Sequence, residues 1–391
     1  MKNKDFDSTV RNFVEKNLSV LVVGFLLLFS AVIRLHLMKH GSSGDFERDI
    51  SPWIESFRNS PKAAFREGFV DYYIPYTVIL AIISMFDVPV FYSVGIVSCI
   101  FDYLTAFYIF KLLDKNFSLS KEIAALVGIA YLFLPTIALN SAAWKQCDSI
   151  YAFFIVVCLK CLFDEKIRTA FIMLGIAFSF KLQTILIVPM LLILYLVNKK
   201  IKLLYWGYVI LVYLITGLPA IIAGRPVKEV YSIYLAQADE YHVMTMYYPN
   251  MYMVALSDYE KFHIYAKLLT ICVLALTLWY ICSKVRTLSQ KGIMGLSVWS
   301  VWTCCMFLPS MHQRYDYLVA VLLIVCVAVF YNEKPWAIIA SAILFYLGNL
   351  ITYSISLYGA DYSPVFVMCC NMAAYALFGY VFWNFVVERR N

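Results

Sequence analysis

Long apolar segments recur along the whole chain, and they constrain the fold more than any other feature. They lie at about 18–38, 92–112, 121–139, 148–164, 167–181, 182–198, 203–222, 263–283, 292–309, 315–331, 335–355 and 364–387. A water-soluble protein could not bury this much apolar surface, because 62% of the residues are hydrophobic and only 15% are charged. Most of these segments approach the length that crosses a bilayer. The sequence therefore predicts an all-α integral membrane protein, a single domain of about twelve transmembrane helices.

The charge distribution predicts the orientation of this domain. Residues 1–17 are polar and carry four basic side chains, so we expect a cytoplasmic N-terminus. With twelve spans the C-terminus is also cytoplasmic, and every predicted inner loop is basic, as the positive-inside rule requires. Residues 39–91 then form a long first outer loop with juxtamembrane helices at 53–65 and 76–85, and residues 224–262 form a large outer loop. The net charge is +7 without a basic stripe in a polar region, which excludes nucleic acid as a partner.

Charges cluster in the first outer loop directly after the first predicted span. Asp45, Glu47 and Asp49 stand beside Arg48 within five residues, and Pro52-Trp53 follows. A solvated loop would explain these charges by itself. A site for chemistry on a lipid-borne substrate is the alternative, and further polar stretches on the same predicted face favour it.

Four further stretches place polar groups on this outer face. Asp71 begins the first, which could also be an interfacial helix with an aromatic belt. The others carry the side chains Trp144, Gln146 and Asp148; Lys181 and Gln183; and His312 and Arg314.

Each of the later stretches also has a purely structural explanation. Asp148 could cap a helix N-terminus, Lys181 could extend to the interface, and Arg314 could pair with Asp316. An intramembrane lysine is nevertheless a functional hypothesis by default. Together the stretches place an acid, a lysine, a histidine and an arginine on one face.

These stretches, in order, resemble a known family. The motifs are Gly-Asp-aromatic before Pro-Trp, Asp-Tyr-x-x-Pro-Tyr, Asn-Ser-Ala-x-Trp-x-Gln-Cys-Asp-Ser-Ile-Tyr, Ser-Phe-Lys-Leu-Gln and Leu-Pro-x-Met-His-x-Arg-Tyr. Over about residues 18–320 the chain resembles bacterial membrane glycosyltransferases of the GT-C superfamily, related to the second mannosyltransferase of GPI-anchor synthesis. The resemblance implies a GT-C-type bundle that moves a sugar from a polyprenyl-phosphate carrier to a glycan or lipid-linked glycan. The reaction would occur on the outer face, in a bacterial plasma membrane.

The resemblance also implies roles for individual residues. Asp45 matches the catalytic base, with Glu47 and Asp49 as second choices. Lys181, His312 and Arg314 would bind the donor phosphate. The motif positions assigned to substrate binding are Asp71, Trp144, Gln146, Asp148 and Gln183.

The chain departs from the family pattern at several positions. Lys145 stands where glycine is usual, Gln313 where glutamate is usual, and Tyr73-Ile74 where Asn-Pro is usual. We therefore expect an altered charge near the site and leave sugar and acceptor open. No metal or other cofactor is expected, because the stretches on the predicted outer face contain no Asp-x-Asp motif and a base with cationic groups suffices.

Other functions remain alternatives at this stage. A flippase or transporter for a lipid-linked sugar would also need buried cations and a groove, although the sequence lacks the repeats typical of transporters. A non-catalytic assembly partner would explain the composition but not the stretches around Asp45 and Lys181. The tyrosine-rich outer loop at 224–262 either covers the site or forms an aromatic belt among membrane lipids.

Overall fold

A computed structural model describes residues 6–238 and 240–388, which are almost wholly helical. The α-helices are α1 (Phe6–His40), α2 (Ser51–Asn59), α3 (Pro61–Glu67), α4 (Ile74–Ser84), α5 (Val90–Asn116), α6 (Lys121–Phe133), α7 (Pro135–Ala138), α8 (Asp148–Phe163), α9 (Ile167–Phe180), α10 (Val188–Val197), α11 (Trp206–Ile222), α12 (Val227–Ala238), α13 (Tyr259–Tyr280), α14 (Gln290–Phe307), α15 (Tyr317–Phe330), α16 (Pro335–Tyr358) and α17 (Pro364–Glu388). Short π-helices occupy Phe46–Ile50, Leu139–Ala143 and Ile281–Val285, and 3-10 turns occupy Leu182–Ile187, Leu203–Tyr205 and Met251–Met253. Two short strands, β1 (Thr245–Met246) and β2 (Met311–His312), complete the described elements.

Several of these helices identify a membrane protein. Among the described residues, six are long and apolar enough to cross a bilayer: Phe6–His40, Val90–Asn116, Leu203–Ile222, Tyr259–Val285, Pro335–Tyr358 and Pro364–Glu388. The bent pair Lys121–Phe133 and Pro135–Ala143 gives a seventh if it is one span. The all-α membrane class is therefore confirmed. Every predicted span overlaps a helix, but several of those helices are short, so the number of about twelve crossings stays a prediction.

Two predicted spans differ from the helices that contain them, for identifiable reasons. α1 begins at Phe6. Residues 6–17 of the predicted polar segment 1–17 therefore belong to the same long helix as the first predicted span. They contain no glycine or proline, and polarity alone does not end a helix. The predicted span 121–139 is broken by 54° at Leu134, whose ψ is 126°. Pro135 causes this break, because proline disfavours helical geometry in the residue before it.

The segment predicted as the first outer loop folds into three short helices after the π-helix. The single helix predicted at 53–65 is two helices, because Pro61 holds Ser60 in an extended conformation between α2 and α3. α2 buries Trp53, Ile54 and Phe57 in a cluster that also contains residues of α4. α4 has only 11 residues, about 16 Å at 1.5 Å per residue, so it is too short to cross a bilayer alone.

The bundle has a buried centre and an apolar exterior. α14 and α15 lie at its centre, where most of their side chains are buried. Three helices lie at the periphery: α1, α11 and α13. Only 11–17% of the apolar 18-residue stretch in each of them is buried within the protein. Because their exposed side chains are largely apolar, these three helices suit contact with lipid.

The segment at 224–262, predicted as a large outer loop, is tied to the loop before α15. β1 pairs with β2 in parallel, with Thr245 opposite Met311 and Met246 opposite His312. The backbone N–H of Ser310 also donates to the carbonyl of Val243 at 3.1 Å. This pairing fixes the loop beside the stretch that carries His312 and Arg314.

Candidate functional site

Distant stretches of the chain meet around one cavity of about 780 Å³. Its walls come from the first outer loop, the break after α9, the loop at 224–262, α13 and the loop before α15. Seven of the nine predicted site residues line it: Asp45, Asp71, Gln146, Lys181, Gln183, His312 and Arg314. The other two, Trp144 and Asp148, lie behind the wall and bond to residues that line it.

Asp45 lies at the cavity wall, five residues after the end of α1 and directly before the first π-helix. Its Oδ2 accepts hydrogen bonds from Trp144 Nε1 at 3.2 Å, Gln146 Nε2 at 3.2 Å and Arg314 Nη2 at 3.4 Å. Its Oδ1 lies 3.7 Å from Arg48 Nη2. The side chain is 29% exposed. One carboxylate oxygen is therefore held by three donors, and the other is left for a ligand.

Gly41 explains how this loop can approach the segment at 139–148. A Cβ atom on Gly41 would lie 2.6 Å from the Cβ of Ala143, which is too close for any other residue. α1 can therefore end directly against the second π-helix. This contact brings Asp45 within reach of Trp144 and Gln146.

Arg314 joins the two acids of the site. Its Nη1 donates to Gln146 Oε1 at 2.9 Å and lies 3.9 Å from Asp148 Oδ2, while its Nη2 reaches Asp45. Burial lowers the pKa of Arg314, but nearby acidic groups, including Asp148 and Asp45, raise it above the usual value. The guanidinium is therefore permanently charged. The alternative pairing with Asp316 is wrong, because Asp316 accepts from Asn349 Nδ2 at 3.3 Å instead.

Lys181 and Asp148 form a buried ion pair, with side-chain exposures of 4% and 1%. Lys181 is extended, with φ −155° and ψ 133°, which confirms the expected break between two short helices. Asp148 is the first residue of α8, and it also accepts from Asn140 Nδ2 at 2.9 Å. The alternatives of interfacial extension for Lys181 and helix capping by the Asp148 side chain are therefore wrong.

His312 contributes a polar ring but no charge. Its ring lies 5.9 Å from that of Trp144 and 5.7 Å from that of Tyr315. Burial, with the charges of Arg314 and Lys181, holds the pKa of His312 well below its usual value. At neutral pH it can donate or accept one hydrogen bond to a ligand.

The remaining acids near the cavity differ in their surroundings. Asp71 lies exposed at the rim, where the loss of part of its hydration and the charges of Glu240 and Asp49 raise the pKa of its carboxyl. Both oxygens of Asp49 accept from Arg48, at 3.0 and 2.8 Å. Glu47 does not line the cavity, and its Oε1 accepts from Ser42 Oγ at 2.7 Å. Asp45 is therefore the better placed of the three candidate bases.

Lys145 does not add a charge to the cavity, which corrects the expectation from the sequence. Its side chain is 1% exposed, and its Nζ donates to the carbonyls of Gly41 at 2.5 Å and Ala143 at 3.1 Å, above the ring of Phe46. Its φ of +61° is the conformation that favours glycine, the residue usual at this position in the resembled family. Burial lowers the pKa of Lys145 to about 8. This side chain joins the two segments that carry Asp45 and Gln146.

The other departures also lie away from the cavity. Gln313 is buried, and its Nε2 donates to Ser356 Oγ. Tyr73 is buried against Tyr213, with ring centroids 4.1 Å apart. These substitutions therefore leave the charge of the cavity wall unchanged.

The loop at 224–262 covers part of the cavity. Tyr234, Gln237 and Tyr241 line it. Other polar and aromatic groups of the loop, Tyr248, Asn250 and Tyr252, are buried within the protein instead. Asp239, in the same loop, lies outside the described residues.

Several groups that shape the site were not predicted from the sequence. Tyr72 lines the cavity and donates to Gln146 Oε1 at 2.8 Å. Behind the site, Asp102 accepts from Ser141 Oγ at 2.6 Å and from Tyr317 Oη at 3.1 Å, and it pairs with Arg34 at 3.3 Å. The pair of Arg34 and Asp102 could have been predicted from the sequence, because each is a charged residue within an apolar segment.

Two further findings concern ligands and relatives. Among the described residues, no three histidine, cysteine or acidic side chains cluster so as to hold a metal ion. No protein-family model matches the chain, and neither does any curated protein sequence.

Proposed function

We propose that this chain is a GT-C-type glycosyltransferase with about twelve membrane crossings and its site on the extracytoplasmic face of a bacterial plasma membrane. It moves a sugar from a polyprenyl-phosphate donor to a glycan or lipid-linked glycan acceptor. The observation that carries this proposal is the convergence of Asp45, Arg314 and Lys181 on one cavity, from stretches far apart in sequence. A carboxylate facing two cations is what displacement of a sugar from a phosphate requires.

Asp45 is the general base in this proposal. Its Oδ2 is held by Trp144, Gln146 and Arg314, which fixes the carboxylate in one orientation. Oδ1 takes the proton of the acceptor hydroxyl as that oxygen bonds to the anomeric carbon. The bond from this carbon to the phosphate oxygen breaks, and its electron pair leaves with the polyprenyl phosphate. One displacement without a covalent intermediate inverts the anomeric configuration.

Lys181 and Arg314 stabilise the leaving phosphate. Both cations lie at the cavity wall and are largely removed from water, with side-chain exposures of 4% and 13%. Fixed charges in such surroundings act strongly on the charge that develops in a transition state. Neutral His312 donates a hydrogen bond to the same group. No step needs a metal ion or cofactor.

The shape of the cavity suits a lipid-linked sugar. Its volume of about 780 Å³ lies in the range of small-molecule sites. Phe180, Leu182, Ile185 and Leu186 form an apolar wall beside Lys181. The first isoprene units of the donor would lie along this wall, with the sugar under Tyr234 and Tyr241.

The test is transfer by the purified protein in liposomes, using a panel of radiolabelled polyprenyl-phosphate sugars with nucleotide sugars as controls. The proposal predicts transfer to an added glycan, or slow hydrolysis, from one lipid-linked donor and from no nucleotide sugar. Movement of the donor across the bilayer without cleavage would contradict the proposal and favour a flippase. An intact protein that neither cleaves nor moves any donor would favour a non-catalytic role.

A further inference from the structure

The charges at the centre of the site balance before any donor binds. Asp148 pairs with Lys181 and lies 3.9 Å from Arg314, which also reaches Asp45. The two cations at the centre of the site therefore face two carboxylates. At the rim, Arg48 is paired with Asp49 at 2.8 Å.

A bound donor disturbs this balance. A sugar on a polyprenyl phosphate is a phosphodiester with one negative charge, so its binding adds an anion to a neutral centre. After transfer the phosphate carries one charge more, while Asp45 has gained a proton. An additional cation near the phosphate would therefore be needed throughout the reaction, because uncompensated charge is unfavourable in a low-dielectric site.

Lys267 is the cavity-lining cation that has no ion pair with any described residue. It lies on α13, eight residues or about 12 Å after Tyr259 at the start of the helix. An unpaired lysine at this depth of an apolar helix is unfavourable unless it serves a ligand or reaches polar surroundings.

Lys267 also lies where the cavity adjoins lipid. α13 is a peripheral helix, and its neighbouring residues Ile264 and Leu268 are more than half exposed. Ile185, on the apolar wall of the same cavity, is 51% exposed. A lipid tail in this region would therefore bring its phosphate past Lys267 on the way to Lys181.

We propose that Lys267 binds the phosphate of the lipid donor at the lipid-facing edge of the cavity. The proposal rests on the function proposed above, and it adds a third cation to Lys181 and Arg314. Lys267 contacts the phosphate without taking part in proton transfer, so it sets donor affinity rather than the rate of the chemical step.

The test measures binding without catalysis. Undecaprenyl phosphate is titrated into detergent micelles of the wild type, Lys267→Met and Lys261→Met, and complexes are quantified by native mass spectrometry. Lys261 is the matched control, because it is an exposed lysine on the same helix that does not line the cavity. Undecaprenol, which has the same tail without phosphate, controls for the tail.

The expected result is phosphate binding that is about tenfold weaker in Lys267→Met and unchanged in Lys261→Met, a loss of about 1.4 kcal/mol. Binding of undecaprenol should be equal in all three proteins. If Lys267→Met binds undecaprenyl phosphate as tightly as the wild type does, or loses affinity for undecaprenol equally, the proposed role of Lys267 is overturned. The proposed function is not affected by either result. Failure of the wild type to bind the phosphate overturns the proposed function together with the role of Lys267.

Discussion

The buried pair of Lys181 and Asp148 allows a prediction that depends on the site but not on the reaction. Asp148→Asn removes the anion that pairs with Lys181, and it also removes an anion 3.9 Å from Arg314. Lys181→Met leaves Asp148 with the Asn140 amide and with Arg314. The two single variants are therefore unequal, although each breaks the same ion pair.

The magnitudes follow from burial. Breaking a buried pair leaves an uncompensated charge, which typically destabilises a protein by about 3–5 kcal/mol. This range applies to Lys181 and Asp148, because their side chains are only 4% and 1% exposed. We expect Asp148→Asn near the upper end of this range and Lys181→Met near its lower end. The double variant leaves neither charge alone, so it should be more stable than Asp148→Asn.

Thermal unfolding monitored with a thiol-reactive dye suits this comparison. Seven of the eleven cysteines are buried, including Cys147 beside Asp148, so unfolding exposes reactive thiols. Asp148→Asn should lower the melting temperature by at least about 5 °C. Lys160→Met breaks a more exposed pair with Asp164, at 14% and 27% exposure, and should change stability by less than about 1 kcal/mol. A double variant less stable than Asp148→Asn would refute the reasoning.

Three further predictions concern other parts of the site. Arg314→Lys keeps one charge but loses the planar fork between Gln146 and Asp45, so transfer at saturating donor should fall at least about a hundredfold; near-normal transfer would contradict this. Lys145→Gly removes the strain of the positive φ, but it also removes two buried hydrogen bonds of the ammonium. The melting temperature of this variant should fall, corresponding to a net loss of about 1–2 kcal/mol in the free energy of unfolding. Stability equal to that of the wild type would show that these bonds contribute little. Because the folded pKa of His312 lies below its unfolded value, the unfolded chain binds the extra proton, and stability should fall as pH falls below about 6.5. The loss of melting temperature between about pH 7.5 and about pH 5.5 should therefore be smaller in His312→Asn than in the wild type.

The local features of the fold were readable from the sequence. Apolar length located the helices, and the break at Lys181 was expected because a lysine interrupts two apolar runs. Local chemistry also explains what was missed. Pro135 should have indicated the bend between α6 and α7, and Pro61 the break between α2 and α3.

The pairings within the site could not be read in the same way. Lys181 and Asp148 are 33 positions apart, and Arg314 and Asp45 are 269 apart. Nothing local in the chain indicates that Arg314 contacts Asp45 and not Asp316. Asp316 lies only two positions from Arg314, yet it bonds to Asn349. The packing of α1 against the second π-helix brings Asp45 to its partners, and the packing of α8 against α9 brings Asp148 to Lys181.

The fate of Lys145 shows the same limit. From sequence it was an added charge beside a catalytic motif. In the fold its positive φ turns the side chain away from the cavity, between Gly41 and Ala143. A residue type alone therefore predicts the charge of a segment but not the direction in which it points.

The central claim is that Asp45 is the base of a sugar transfer, and one comparison tests it most directly. Asp45→Asn and Asp49→Asn change neighbouring acids that both line the cavity. With the lipid-linked donor that the wild type uses, Asp45→Asn should lower the rate of transfer about a hundred- to ten-thousand-fold. The melting temperature of this variant should equal that of the wild type. Asp49→Asn should keep most of the rate, because Arg48 holds both oxygens of Asp49. Full transfer by Asp45→Asn, or its loss in Asp49→Asn alone, would contradict the account.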